Sequence, residues 1–244
     1  MSAALTLLPH VSCVNIESMK ADSTYHHGDL RAALLKVAAA EIERVGYESL
    51  SLRELAEKLG VSRAAPYRHF ADRRALLAAV AAEGFDELTA IHRKAAGKTP
   101  LARLVAAGRG YLAFAADQPQ MFRLMFVSDL LGGNKLPPDP ALIKAAGESY
   151  VVFEGLVAAT LDDPDDGAIK ATAIAIMSST YGFALLRMNN RLRPFMYGPL
   201  TQSELVDAVL SIKVEARPHS ANRNYSGARK TKNAPPAISA KPTI

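Results

Sequence analysis

The chain has 244 residues, 49% of them hydrophobic and 22% charged, with 15 Gly, 14 Pro, one Cys and no Trp; this fits one large or two modest soluble domains with real cores. The lone Cys13 excludes an intrachain disulfide framework and a multi-cysteine zinc site. The net charge of +5 is concentrated at one end: residues 1–94 hold 12 Lys/Arg against 12 Asp/Glu, residues 95–212 hold 10 against 11, and residues 213–244 hold 7 against 1, so total charge is no argument about the folded part.

Residues 1–24 show no sustained helical period and read as a disordered arm, within which Met19 is an alternative start. The segment Leu5-Thr6-Leu7-Leu8-Pro9 lacks the basic flank and apolar core of a signal peptide, which points to the cytoplasm. A first helix is predicted over about Asp29–Val45, with Leu30, Leu34, Val37, Ala38, Ile42 and Val45 on one stripe and Gly46 as its stop. Ser51 and Glu54 have the spacing of a capping box, with Leu50 placed to staple onto Leu55. A two-turn helix follows, ended by Gly60. Ser62 is placed to cap the next helix, which carries Tyr67 and Phe70, and Asp72 caps a longer one running through Leu76, Leu77, Val80 and Phe85.

Longer helices are predicted near Pro100–Asp117, Pro119–Leu131, Pro140–Leu161, Gly167–Asn189 and Gln202–Glu215, separated by Gly132-Gly133-Asn134 with Pro137-Pro138, by Asp162–Gly167 and by Arg193–Pro199. The apolar stretch Ala171–Leu186 falls short of the ~20 residues of a membrane span and reads as a buried helix. From about Ala216 onward Pro, Asn, Ser, Lys and Arg replace the apolar pattern, the composition of a disordered basic tail. No run alternates like a strand. The fold class is all-α: a helix-turn-helix head over residues 25–72, a helical body over 73–215, and a tail over 216–244.

Two short helices joined through Gly60-Val61-Ser62 have the length and turn of a helix-turn-helix, whose second helix lies in the DNA major groove. The segment Tyr25–Leu77 resembles the DNA-binding head of TetR-family transcriptional regulators. The residues that carry the likeness are Tyr25-His26-His27-Gly28-Asp29-Leu30-Arg31, Leu52-Arg53-Glu54-Leu55-Ala56, Gly60-Val61-Ser62, Ala65-Pro66-Tyr67-Arg68-His69-Phe70 and Asp72-Arg73 before Leu76-Leu77. The resemblance implies a homodimer, a double-stranded DNA operator and a body that binds a small-molecule effector. It implies no cofactor.

The residue chemistry of the head agrees with DNA reading. Ser51 and Ser62 stand at helix amino termini, whose N–H groups attract phosphate. Arg63, Ala64, Ala65 and Pro66 open the second helix; Arg63 suits a guanine, while Ala65 and Pro66 offer apolar contact, for instance to a thymine methyl. Tyr67, Arg68 and His69 are polar neighbours of Phe70, which is expected in the core. The resemblance implies phosphate contacts for Tyr67 and Arg73. Arg73 and Arg74 open a helix, where its dipole disfavours cations unless an anion is near. His26-His27 without an acidic or Cys partner reads as a polar helix start rather than a metal site.

The body is rich in aromatic and Met side chains. Tyr111, Phe114, Phe122, Met125, Phe126, Phe153 and Met177 are candidates for an apolar effector pocket, with Tyr150, Tyr181 and Arg123 as its polar groups; residue by residue, ordinary core packing is the competing reading. The nearly charge-free helix 167–189 needs cover on several sides, and the resemblance implies that it and the 202–215 helix pack against their copies in a dimer. Tyr181-Gly182 falls where one subgroup of the family carries Trp-His-Gly, an incomplete match here. The function these features imply is a ligand-responsive repressor that binds a palindromic operator as a homodimer and is released by a largely apolar ligand. A protein binding DNA nonspecifically through its tail is the alternative. Catalysis is not expected: there is no paired-carboxylate site, phosphate loop or nucleophile motif, and Gly108-Arg109-Gly110 is a lone GxG in a helical stretch.

Overall fold

Proline and a short polar side chain set the start of most of the long helices. The computed structural model describes residues 30–132 and 137–211, and there the elements are α1 (Leu30–Val45), α2 (Leu52–Lys58), α3 (Arg73–Lys94), α4 (Pro100–Asp117), α5 (Pro119–Phe126), α6 (Pro140–Ala158), α7 (Asp166–Met188), α8 (Pro194–Tyr197) and α9 (Gln202–Leu210). Asp72 accepts from the Ala75 N–H at 2.8 Å to cap α3, Thr99 from Ala102 at 3.1 Å to cap α4, and Asp165 from Ala168 at 2.6 Å to cap α7. Asp139 caps α6 through Ala141 and Leu142. Thr201 and Glu204 form a capping box at α9. No strand occurs among the described residues.

The arm, the tail, Cys13, Met19, the His26-His27 pair, the Tyr25–Asp29 motif, the Gly133-Asn134 part of the interhelical break and the 212–215 end of the last helix lie outside the described residues. Within them, α4 has the limits expected from the sequence, whereas α5 ends five residues early, at Phe126. The break at 193–199 holds the short helix α8.

Two corrections concern the head. Ser51 is the extended residue before α2, but its side chain makes no capping bond. Arg73 secures the approach to that helix instead, its Nε donating to the Leu50 carbonyl at 2.9 Å and its Nη2 to the Tyr47 carbonyl. Nor does Ser62 cap a helix. The segment after it is a turn followed by a 3-10 turn over Pro66–Arg68. The cause is Pro66: an α-helix would need its N–H to reach the Ser62 carbonyl, and proline has none. The Ala65 N–H takes that carbonyl at 2.9 Å and the segment tightens to i→i+3 bonds, Arg68 to Ala65 and His69 to Pro66. Gly60, at φ +66°, supplies the left-handed backbone that ends α2.

The cores of head and body are continuous. Leu34, Leu35, Ala38 and Ile42 of α1 pack with Leu52 and Leu55 of α2, Phe70, and Leu76, Leu77 and Val80 of α3; the same cluster extends through Phe85 into Phe122, Leu124 and Met125 of α5. α3 leaves the head and packs most extensively along α6. α7 lies against α4, α6 and α9. By length and hydropathy α7 could cross a membrane, yet it belongs to this helical body, burying Thr172, Ala173, Thr180, Phe183 and Ala184.

Sequence gave little warning of Glu41. Its carboxylate is buried in α1, bonded at 2.7 Å to Arg44 and paired with Lys58 at the end of α2. The hydrogen bond from Arg44 is the main reason its carboxyl is held below its ordinary value. Both cations are substantially exposed, so Glu41→Gln is expected to cost about 1–2 kcal/mol in chemical denaturation. Because the folded pKa is lowered, that contribution is present above the ordinary carboxyl range and is lost as pH falls through the folded value.

Candidate functional site: an exposed polar segment of the head and a cavity at the far end of α3

The 60–70 segment presents a polar surface over an apolar base. Ser62, Arg63, Ala64, Tyr67, Arg68 and His69 are exposed, Ala65 is half-buried, and Pro66 and Phe70 are buried. Pro66 therefore belongs to the core and cannot meet a thymine methyl. Phe70 is core as expected, with the Arg31 guanidinium 5.4 Å from its ring centre. Arg63 reaches back to Glu57 at 2.8 Å, both side chains largely in water. Such a pair is weak and easily exchanged for a base edge or phosphate.

The two arginines that open α3 are satisfied by the protein. Arg73 holds Leu50 and Tyr47 as described, and Arg74 Nη1 lies 3.1 Å from Asp129 Oδ1 while its Nη2 donates to the Asp129 carbonyl at 3.2 Å. These acceptors account for cations at a helix amino terminus without a bound anion. Arg73 is thus a tie between α3 and the segment before α2.

A cavity of about 560 Å³ opens in the body between α4, α6, α7, α9 and the end of α3. Of the candidates named from sequence, it brings together Tyr111, Phe153 and Met177. Phe114, Phe122 and Met125 are core. Phe126 joins an aromatic cluster with Phe85 at 5.3 Å and Phe122 at 4.7 Å, and Tyr181 stacks on Phe122 while its hydroxyl donates to the Phe126 carbonyl at 3.4 Å. Arg123 points to Asn189 at 3.3 Å. Tyr150 lies beside Glu154 and does not line the cavity. The α5 residues stay out of the wall because this short helix packs as core against α1, α3 and α4.

His92 is the wall residue that sequence reading missed. It is buried in the last turn of α3, its ring centre 5.9 Å from that of Phe153. Burial pushes its imidazole down to about 4, against a hydrogen bond with the Ser149 backbone. Its signal was the spacing Phe85, Leu88, His92, which continues the apolar stripe of α3 beyond Phe85. Both His92 Nδ1 and the Tyr111 hydroxyl are buried without a hydrogen-bond partner in the protein.

Two links join cavity and head. α3 carries Arg73 at one end and His92 at the other, 19 residues or about 28 Å apart along the helix. The second runs through α5. The Tyr111 ring packs against Phe122 at 5.6 Å and Phe126 at 6.0 Å, and α5 lacks a side-chain cap from its own Gln118. The cap comes from α1: Glu43 accepts from the Met121 N–H at 2.6 Å and the Gln120 N–H at 3.3 Å. Burial raises the Glu43 carboxyl, and these two amides act in the opposite sense.

The glycines of the GxG have a packing role. A Cβ at Gly108 would strike Leu210 of α9, and one at Gly110 would strike Ile91 of α3. With the Arg109–Asp207 ion pair, Gly108 sets α9 against α4 at the cavity edge. Gly110→Val is expected to destabilise the protein by about 1–3 kcal/mol in thermal or chemical unfolding through overpacking against Ile91.

Residues 34–80 match the family described as bacterial regulatory proteins, tetR family, and residues 104–211 match the tetracyclin repressor-like C-terminal domain. The chain is 32% identical over 125 residues to the HTH-type transcriptional activator FasR of Mycolicibacterium smegmatis, covering 50% of this chain and 55% of that protein. It is 47% identical over 51 residues to the class C tetracycline repressor protein of Escherichia coli, covering 21% of this chain and 23% of that one. The matched regions thus span about half and a quarter of these curated relatives. A solved structure of a protein of unknown function from Rhodococcus sp. RHA1 superposes with a TM-score of 0.64 at 32% identity, over 78% of this chain and 95% of that one. With its helix-turn-helix head, its helical body and both family matches, the chain belongs to the tetR family of DNA-binding transcriptional regulators.

Proposed function

We propose that the chain is a ligand-released repressor that binds a palindromic operator as a homodimer. The observation that supports this best is the placement of the cavity on the helix that carries the head: a molecule pressing on His92 and Tyr111 moves the end of α3 and the aromatic packing around α5, and both lead to α1. The relatives include one named as an activator and one named as a repressor; the reading proposed here follows the second. In the reading proposed here, Arg63, Ala64, Tyr67, Arg68 and His69 face the DNA and Arg73 holds the head in shape. The basic tail adds attraction without sequence preference, and the protein acts in the cytoplasm.

A dimer accounts for the outer face of α7. Ala171, Ile174, Ser178 and Leu186 follow one another at helical spacing and are exposed, Ile174 at 53%. A second copy of the chain offers the same stripe by two-fold symmetry. The two heads would then stand about 34–36 Å apart, one DNA turn.

Filling the cavity covalently tests the coupling without knowledge of the effector. Ser179→Phe places a ring among the lining side chains, and its operator affinity is expected to fall about 10-fold, within the span usual for allosteric coupling, while circular dichroism stays unchanged. Unchanged affinity in a folded Ser179→Phe protein would count against release by cavity occupancy.

A further inference from the structure

We propose that the cavity takes an uncharged ligand, an apolar body bearing one hydroxyl or amide that donates to His92 Nδ1 and accepts from the Tyr111 hydroxyl. This deepens the effector reading and rests on it. Of the described residues that line the space, none is Asp, Glu, Lys or Arg; Leu101, Leu104, Val105, Leu161, Ile176 and Val209 are among its apolar wall residues. A ligand charge brought here would lose its hydration and find no counter-charge.

Three of the hydroxyls on the wall are already occupied by the backbone. The Thr180 hydroxyl donates back to the Ile176 and Met177 carbonyls at 3.0 and 3.1 Å, that of Ser179 to Ala175 at 3.0 Å, and that of Thr160 to Val157 at 2.7 Å. Two fully buried atoms remain unpartnered, His92 Nδ1 and the Tyr111 hydroxyl; the Thr172 and Ser211 hydroxyls also line the cavity. The Ser149 backbone favours the protonated imidazole, as a carbonyl facing a ring N–H does, and with Nδ1 unpartnered we assign that contact to the other nitrogen. A backbone carbonyl requires a proton on that nitrogen, and a neutral imidazole has only one, so Nδ1 presents a lone pair. It needs a donor. The Tyr111 hydroxyl both donates and accepts. One ligand hydroxyl, or one amide, satisfies both, whereas a hydrocarbon, ether or carboxylate leaves Nδ1 unpaired.

Isothermal titration of the full chain at neutral pH with four probes of equal length separates these cases: 1-decanol, decyl methyl ether, decanoate and decylammonium. Decanol is expected to bind roughly 10-fold more tightly than each of the others, the scale of one hydrogen bond to an otherwise unpaired buried group. In His92→Leu its advantage over the ether should shrink to within about two-fold. Tyr111→Phe, a milder change, should reduce it in part, with Tm reporting that both variants fold. Decanoate or decylammonium binding as tightly as decanol, an undiminished advantage in both folded variants, or no binding of decanol at all would each overturn the ligand class. Operator binding in the same samples keeps the two readings apart. Decanol preference without any effect on DNA strikes the effector reading alone; decanoate that binds in the cavity and releases DNA strikes the ligand class alone.

Discussion

Between neutral pH and about pH 4, the wild-type protein is expected to lose about 3 kcal/mol of unfolding free energy relative to a His92→Leu variant. His92 is held neutral in the fold, its pKa pushed down to about 4 chiefly by burial, whereas in the unfolded chain it regains the ordinary value of 6.5. In that window the unfolded state binds the extra proton, so stability rises with pH and is lost as pH falls. His92 is 6% exposed, so solvent screens little of the effect. Urea unfolding of both proteins across this range measures it. Parallel curves would mean that His92 is hydrated in solution and is not held neutral by burial.

Glu43→Ala is expected to cost about 1.5–3 kcal/mol, the scale of hydrogen bonds to a charged group, and to disconnect α5 from α1. Its carboxylate is the side-chain cap on the amino terminus of α5. Removing it leaves two amide donors unpaired in a half-buried seam. Hydrogen exchange should show Gln120 and Met121 losing protection while amides of the α1 core keep theirs. In the same variant the operator affinity lost on filling the cavity with Ser179→Phe should shrink, because one of the two routes from cavity to head is cut. Full protection at Gln120 and Met121 in Glu43→Ala would show that the seam is held by packing alone.

The all-α architecture was legible in the sequence because helical period and capping residues act locally. Pro100, Pro119 and Pro140 open α4, α5 and α6, and Asp72 caps α3 as its position suggested. The second helix of the head was not legible as a 3-10 turn, since the deciding fact is a missing N–H at Pro66, while its side-chain pattern remains that of a helix. Ser51 misled for a different reason. Its spacing to Glu54 is right for a capping box, but Arg73, distant in sequence, secures that segment through its carbonyls. The cavity was least legible. Aromatic side chains were numerous enough to suggest a pocket, yet Phe122 and Phe126 are packing for Tyr111, and whether a ring is wall or core depends on a neighbour from another helix. His92 and Glu43 escaped notice because what they do is decided by tertiary contacts, with Ser149 in one case and the start of α5 in the other; the stripe Phe85, Leu88, His92 pointed only to the burial of the first.

Sequence-specific DNA reading by the exposed face of residues 62–69 is the central claim. Footprinting of the full chain on DNA flanking its own gene, across a salt series, tests it most directly. Wild-type protein should protect a roughly palindromic site. Tyr67→Ala and Arg63→Ala should each weaken protection by about 10-fold, the scale of one lost phosphate or base contact, and a chain lacking residues 216–244 should keep the same footprint. Uniform, steeply salt-sensitive coating that survives both head substitutions and vanishes with the tail would contradict the account and leave charge as the whole basis of binding.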